Sequence, residues 1–154
     1  MPVLLIFISL LLVLTPRSEA QDIDRDDILD KVNSVRKAGC ICGRKKMPPA
    51  PPLRWSTTLE ESAYKHAKDM AKRDYFSHVS PNGKNPGDRV KMSGYDWSYV
   101  GENIASGQRT FEEVLDRWIN SPVHCKILMN PNFSEMAVAR YEDKWVQHFG
   151  RRLE

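Results

Sequence analysis

Two short polar segments each hold one histidine: "FSHVSP" at 76–81 carries His78, and "SPVHCKILMNPN" at 121–132 carries His124. Between them, "GENIASG" at 101–107 holds Glu102 between two glycines, a spacing that reads as a turn and not as a solvated helix face. Two imidazoles and a carboxylate suit Zn²⁺, a borderline-soft ion, and three protein ligands leave one position open for water or substrate. Such a set would permit metal-assisted hydrolysis. The chain nevertheless contains no "HExxH" stretch and no Gly-x-Ser-x-Gly turn, which mark the zinc-peptidase helix and the nucleophile elbow. Ser77 and Ser80 beside His78 read as turn caps, because serine hydroxyls in loops bond to nearby backbone. No catalytic set is complete, so the reading leans away from an enzyme.

The elements that must position these residues can be read from period and punctuation. Ile28, Leu29, Val32 and Val35 recur at helical spacing in "DDILDKVNSVRKAG", with aspartates first and Gly39 last, which predicts a helix over 24–38. "MPPAPPLRW" follows, and its four prolines force an extended connector. A second helix is predicted from Thr57, with "TTLE" as a capping box closed by Glu60 and an apolar face of Leu59, Ala63, Ala67 and Met70 up to about Arg73. His66 shares that face and reads as a core histidine. From Ser77 to Gly107 repeated glycines and prolines predict a long ordered loop with at most short helical turns, and loops of that length in a compact domain usually carry function. Thr110 and Glu113 cap a third helix with Phe111, Val114, Leu115, Trp118 and Ile119 buried, and Ser121-Pro122 opens a short fourth that carries His124 and Cys125. "EMAVARY" and "KWVQHFG" predict an antiparallel hairpin turning at Glu142-Asp143, with Trp145, Gln147 and Phe149 on one face and Val146 and His148 on the other.

Residues 1–20, "MPVLLIFISLLLVLTPRSEA", read as a secretory signal peptide: an apolar run, a proline break and small residues at the cleavage site. The run is shorter than the roughly 20 residues a membrane-spanning helix needs, so no stable membrane insertion is expected. Residues 21–154 are expected to form a single domain, secreted or periplasmic. The net charge of +3 is too small to call for nucleic acid. The basic runs at 36–37 and 44–46 read as solvated surface. Cys40, Cys42 and Cys125 would meet an oxidising compartment, where one disulfide and one leftover thiol is the simplest arithmetic. Cys40 and Cys42 are too close to pair comfortably with each other, so one of them is expected to pair with Cys125.

Taken in order, "VNSVRKAG", "PLRWSTTLEESAYKHAKDMAKRDYFSH", "GDRVKMSGYDWSYVGENIASGQ", "DRWINSPVHCKILMNPNFSEMAVA" and "KWVQHFG" resemble the CAP superfamily, the SCP-like domain of cysteine-rich secretory, antigen 5 and pathogenesis-related proteins. The "FSH", "GEN" and "W..SP.H" elements carry the resemblance together, and the pattern is similar to the short bacterial branch. The resemblance implies an α+β fold, a three-layer α-β-α sandwich with a central antiparallel sheet and a cleft. In that cleft a tetrad of two histidines and two acids can hold a divalent metal: His78, Glu102, His124 and, as the second acid, Asp88 in "GDR", chosen over Asp96 in an interval that lacks the glutamate of animal and plant members. It also implies a Cys42–Cys125 disulfide, since members of that branch often keep one cysteine just before a glycine here, as in Cys42-Gly43. Two departures stand out. Val123 precedes His124 where the bacterial branch commonly has glycine, and the segment after His124 lacks the aromatic-Thr-Gln-aliphatic-Trp run of eukaryotic members.

The resemblance points to a secreted, monomeric binding module for a small lipid, sterol or other extracellular ligand, with Zn²⁺ or another divalent cation in the tetrad. The alternatives are a metal-dependent hydrolase of peptide or cell-wall material, and a host or partner interaction protein whose cleft is only scaffolding.

Overall fold

The computed structural model describes residues 23–154, so the signal peptide expected at 1–20 lies outside the described residues. Helix α1, Arg25–Ala38, starts where the Asp24 side chain accepts from Asp27 N–H, and it ends at Gly39 with φ 71°, a conformation that glycine adopts at no steric cost. Ile28 and Val32 face the core, and Leu29 and Val35 pack against it. Strands β1, Cys40–Cys42, and β2, Lys45–Met47, then form a small hairpin that the sequence reading did not foresee. After the proline connector come β3, Arg54–Trp55, and α2, Thr57–Lys72.

The N-cap of α2 is Ser56, whose hydroxyl accepts from Leu59 N–H. Glu60 does not close the expected box; its two oxygens accept from Arg25 Nε and Trp55 Nε1 and so staple α1 to the start of α2. Next come α3, Pro86–Met92, and then β4, Trp97–Ser106. The latter corrects the expectation of a long loop: "GENIASG" is mostly strand, and Glu102 sits inside it. The glycine of that stretch, Gly101, is required by packing. A Cβ there would lie 2.6 Å from Phe133 Cζ. Helices α4, Phe111–Asn120, and α5, Pro122–Leu128, precede the hairpin of β5, Glu135–Tyr141, and β6, Lys144–Arg152, which turns at Glu142-Asp143 as read from the sequence.

The main sheet runs β3-β5-β6-β4. Its three long strands form the expected antiparallel sheet, to which β3 adds one short parallel pair where Arg54 and Trp55 meet Glu135 and Met136. Strand alternation in β6 sends Trp145 and Phe149 into one core with α1, α4 and α5, and Val146 into another beneath α2 with Ala63, Ala67 and Met70. Leu59 of α2 meets Val90 of α3 and Tyr95 in a third cluster on the α2 side. Helices thus cover both faces and the α-β-α sandwich follows.

Candidate functional site

Register builds the site. Glu102 of β4 pairs with His148 of β6, and both lie on the face of Ile104 and Val146, beneath α2. Glu102 is 4% exposed and its carboxylate is surrounded by nitrogen donors. Oε1 accepts from His78 Nδ1 at 2.7 Å, and Oε2 accepts from His148 Nε2 and from Arg89 Nη2, each at 2.7 Å. His66 Nε2 lies 3.9 Å from Oε2. Burial by itself would raise the Glu102 pKa. The hydrogen bonds from His148 and His78, with the charges of His148 and Arg89, overcome that penalty and hold the carboxyl far below its ordinary value.

The loop after α2 is fastened to the same carboxylate. Arg89 Nη2 also donates to His78 O at 2.9 Å, and its Nη1 donates to Ser80 Oγ and Lys84 O. His66 Nε2 lies 3.0 Å from Ser77 O, and a carbonyl only accepts, so Nε2 carries the proton. Burial pushes the His66 pKa down to about 4, so the ring is neutral at neutral pH. His66 is the core histidine expected from the sequence, and it also anchors the backbone next to His78.

His124 stands on α5, across the sheet edge from α2. Ser121 is the N-cap of α5 but makes no capping bond; its hydroxyl lies 2.7 Å from His124 Nδ1. The two imidazoles are close enough that charge on His78 disfavours charge on His124, whose pKa is lowered first by burial and then by His78 and Arg117. With Nδ1–H of His78 given to Glu102, and in the tautomer where His124 Nδ1–H is given to Ser121, each Nε2 keeps a lone pair that no hydrogen bond among the described residues uses. Phe76 and Val79 beside His78, and Val123 beside His124, are half-exposed or more.

The expected tetrad is therefore only partly assembled. Asp88 caps α3: its Oδ2 accepts from Asn85 N–H at 3.0 Å, and Asn85 Oδ1 accepts from Asp88 N–H in return. The neighbouring side chain, Arg89, enters the site in its place. Tested as a metal centre, His78 and His124 fit as imidazole donors whose other nitrogens are oriented by a carboxylate and a hydroxyl, the usual support of metal-bound histidine. Glu102 is poorly placed as a direct ligand, because Oε2 already accepts from two protein donors and Oε1 from a third, and its side chain is 1% exposed. Among the described residues the group of three potential metal ligands that all converge within 4.8 Å of one another is instead Cys40, Cys42 and Cys125. The disulfide is Cys42–Cys125, and Cys40 is the free cysteine.

The sequence reading missed Arg89 and His148 as members of the site and gave His66 no part in it. Period-two alternation in "KWVQHFG" does place His148 on the Val146 face, but its register opposite Glu102 depends on a strand whose glycines read as loop.

Residues 29–149 match the Cysteine-rich secretory protein family, CAP, and the chain belongs to that family. Over 100 residues it is 42% identical to the protein YkwD of Bacillus subtilis and 32% identical to the membrane protein YlbC of the same organism, both described as uncharacterized. Those matches take in 64% and 65% of this chain but only 39% and 29% of the relatives, so the likeness spans well under half of their lengths. An extracellular protein containing an SCP domain from Bacillus anthracis superposes with a TM-score of 0.69 at 30% identity, covering 83% of this chain and 41% of that one. An outer surface protein of Borrelia burgdorferi shares the fold, with a TM-score of 0.72 at 22% identity over 83% of this chain and 92% of that one. Among the described residues no helix is long and apolar enough to cross a membrane.

Proposed function

We propose that the protein is an extracellular binding module that takes a small amphiphile, a lipid or sterol, at the His78–His124 cleft, with Zn²⁺ or a similar cation held by the two Nε2 atoms. The observation that carries the reading is the pair of oriented imidazoles with free lone pairs, flanked by exposed Phe76, Val79 and Val123. Apolar side chains beside uncommitted donors suit a ligand with a polar head and an apolar body. A bound cation would supply a Lewis-acidic anchor for that head. Glu102 orients His78, and because three donors hold it ionised it is a poor general base, which favours binding over hydrolysis.

Fluorescence titration with a pyrene-labelled fatty acid, in the presence and absence of Zn²⁺, tests the reading. Saturable binding should weaken at least tenfold in Val123→Ser combined with Phe76→Ser, and the Zn²⁺ enhancement should vanish in His124→Ala. Equal binding by wild type and both variants would refute it.

A further inference from the structure

We propose that Cys40, Cys42 and Cys125, once the disulfide is reduced, form a three-thiolate site for a soft metal ion, separate from the histidine cleft. The disulfide uses two sulfurs, yet the fold brings a third to them: Cys40 Sγ lies 3.1 Å from Cys125 Sγ and 3.6 Å from Cys42 Sγ. Strand geometry accounts for the convergence. Cys40 and Cys42 stand two residues apart on β1 and share a face, while Ile41 between them points outward and is 68% exposed. Cys125 meets that shared face from α5.

Metal–thiolate bonds of about 2.3 Å in tetrahedral coordination separate the sulfurs by roughly 3.8 Å. The Cys40–Cys42 pair, at 3.6 Å, stands just inside that spacing and the Cys40–Cys125 pair, at 3.1 Å, further inside, and the bonded Cys42 and Cys125 sulfurs reach it only once the disulfide opens. Cys42 and Cys125 are buried, whereas Cys40 is partly exposed, so an ion has an approach at the Cys40 side and solvent can fill a fourth position. A divalent ion on three thiolates carries one net negative charge, and the exposed cations Arg44, Lys45 and Lys46 stand on the same hairpin. None of the three is in an ion pair among the described residues.

The chemistry balances with an external thiol as reductant. Two equivalents of thiol give two electrons and two protons to the Cys42–Cys125 bond and leave as their own disulfide, and the ion then displaces three protons from the three thiols. Disulfide and metal are mutually exclusive occupants of the same sulfurs.

Protein lacking residues 1–20 is reduced with a phosphine under anaerobic conditions, desalted and titrated with Cd²⁺ alone, with circular dichroism following the fold. The expected result is a thiolate-to-metal charge-transfer band that saturates at one equivalent, with native circular dichroism kept or regained. Cys40→Ser leaves the disulfide-forming pair intact, and it should lower the Cd²⁺ affinity at least tenfold and weaken the band. His78→Ala combined with His124→Ala should leave the band unchanged, which separates this site from the cleft proposed above. The oxidised protein should show no band. The proposal is overturned by a missing band in reduced protein, by an equal band in Cys40→Ser, or by Cd²⁺ uptake that leaves the reduced chain unfolded.

Discussion

His66 sets a sharp pH dependence on the stability of the fold. Its ring is 1% exposed, its Nε2–H is committed to Ser77 O, and burial lowers its pKa from 6.5 to about 4. Between those two values the unfolded chain binds a proton that the folded chain refuses, so stability falls as pH falls through the window. A tenfold rise in proton concentration costs about 1.4 kcal/mol for one such group, and across the window the loss comes to about 3 kcal/mol. That is a large share of the roughly 5–15 kcal/mol typical of a domain. His66→Gln removes the titration while its amide can still donate to the Ser77 carbonyl. Urea denaturation of both proteins at several pH values from about 7 to 4 isolates this contribution, because every other titrating group is common to the two. Wild type should lose about 3 kcal/mol more than His66→Gln over that interval. Parallel stability curves would refute the reasoning, and so would a steeper fall for the variant.

Glu102→Gln preserves volume but leaves Arg89 and His148 facing an uncharged amide, and the loss of the partner of a buried cation should cost about 3–5 kcal/mol in equilibrium denaturation. Asp88→Ala removes half of a capping box and should cost about 1 kcal/mol, with calorimetric Zn²⁺ uptake unchanged. Gly101→Ala forces a Cβ to within 2.6 Å of Phe133 Cζ, and thermal unfolding should show a loss of about 1–3 kcal/mol from overpacking.

The layers of the fold were legible wherever a period repeats over several turns or pairs. Ile28 and Val32 in α1, Ala63 and Ala67 in α2 and the alternation across 145–149 each gave the buried face directly. The strand at 97–106 was not legible, because Gly94, Gly101 and Gly107 punctuate it like a loop. Gly101 is there because Phe133, far along the chain, lies over the backbone, a contact that no local pattern reveals. The site followed the same division. His78, Glu102 and His124 stood out by residue type and segment, whereas Arg89 and His148 reach Glu102 through register and helix placement. Asp88 drew the assignment because it is an acid at a suitable distance along the chain, but its cap position on α3 aims it at backbone and leaves Arg89 to turn inward.

The fastening of the segment after α2 bears on how a ligand would be captured. Ser77 O is held by His66, His78 O by Arg89, the His78 ring by Glu102, and Lys84 O by both Arg89 and Ser80 N–H. Irregular backbone of this kind commonly frays on its own, at little cost. Here any opening strips donors from a buried carboxylate, so the segment behaves as part of the core. Its amide protons at Ser80 and Gly83 should then exchange with solvent at rates close to those of β6, and a ligand docking at His78 would meet a segment already held in place. Such a surface would lose little conformational freedom on association, so the segment around His78 would act as a fixed template.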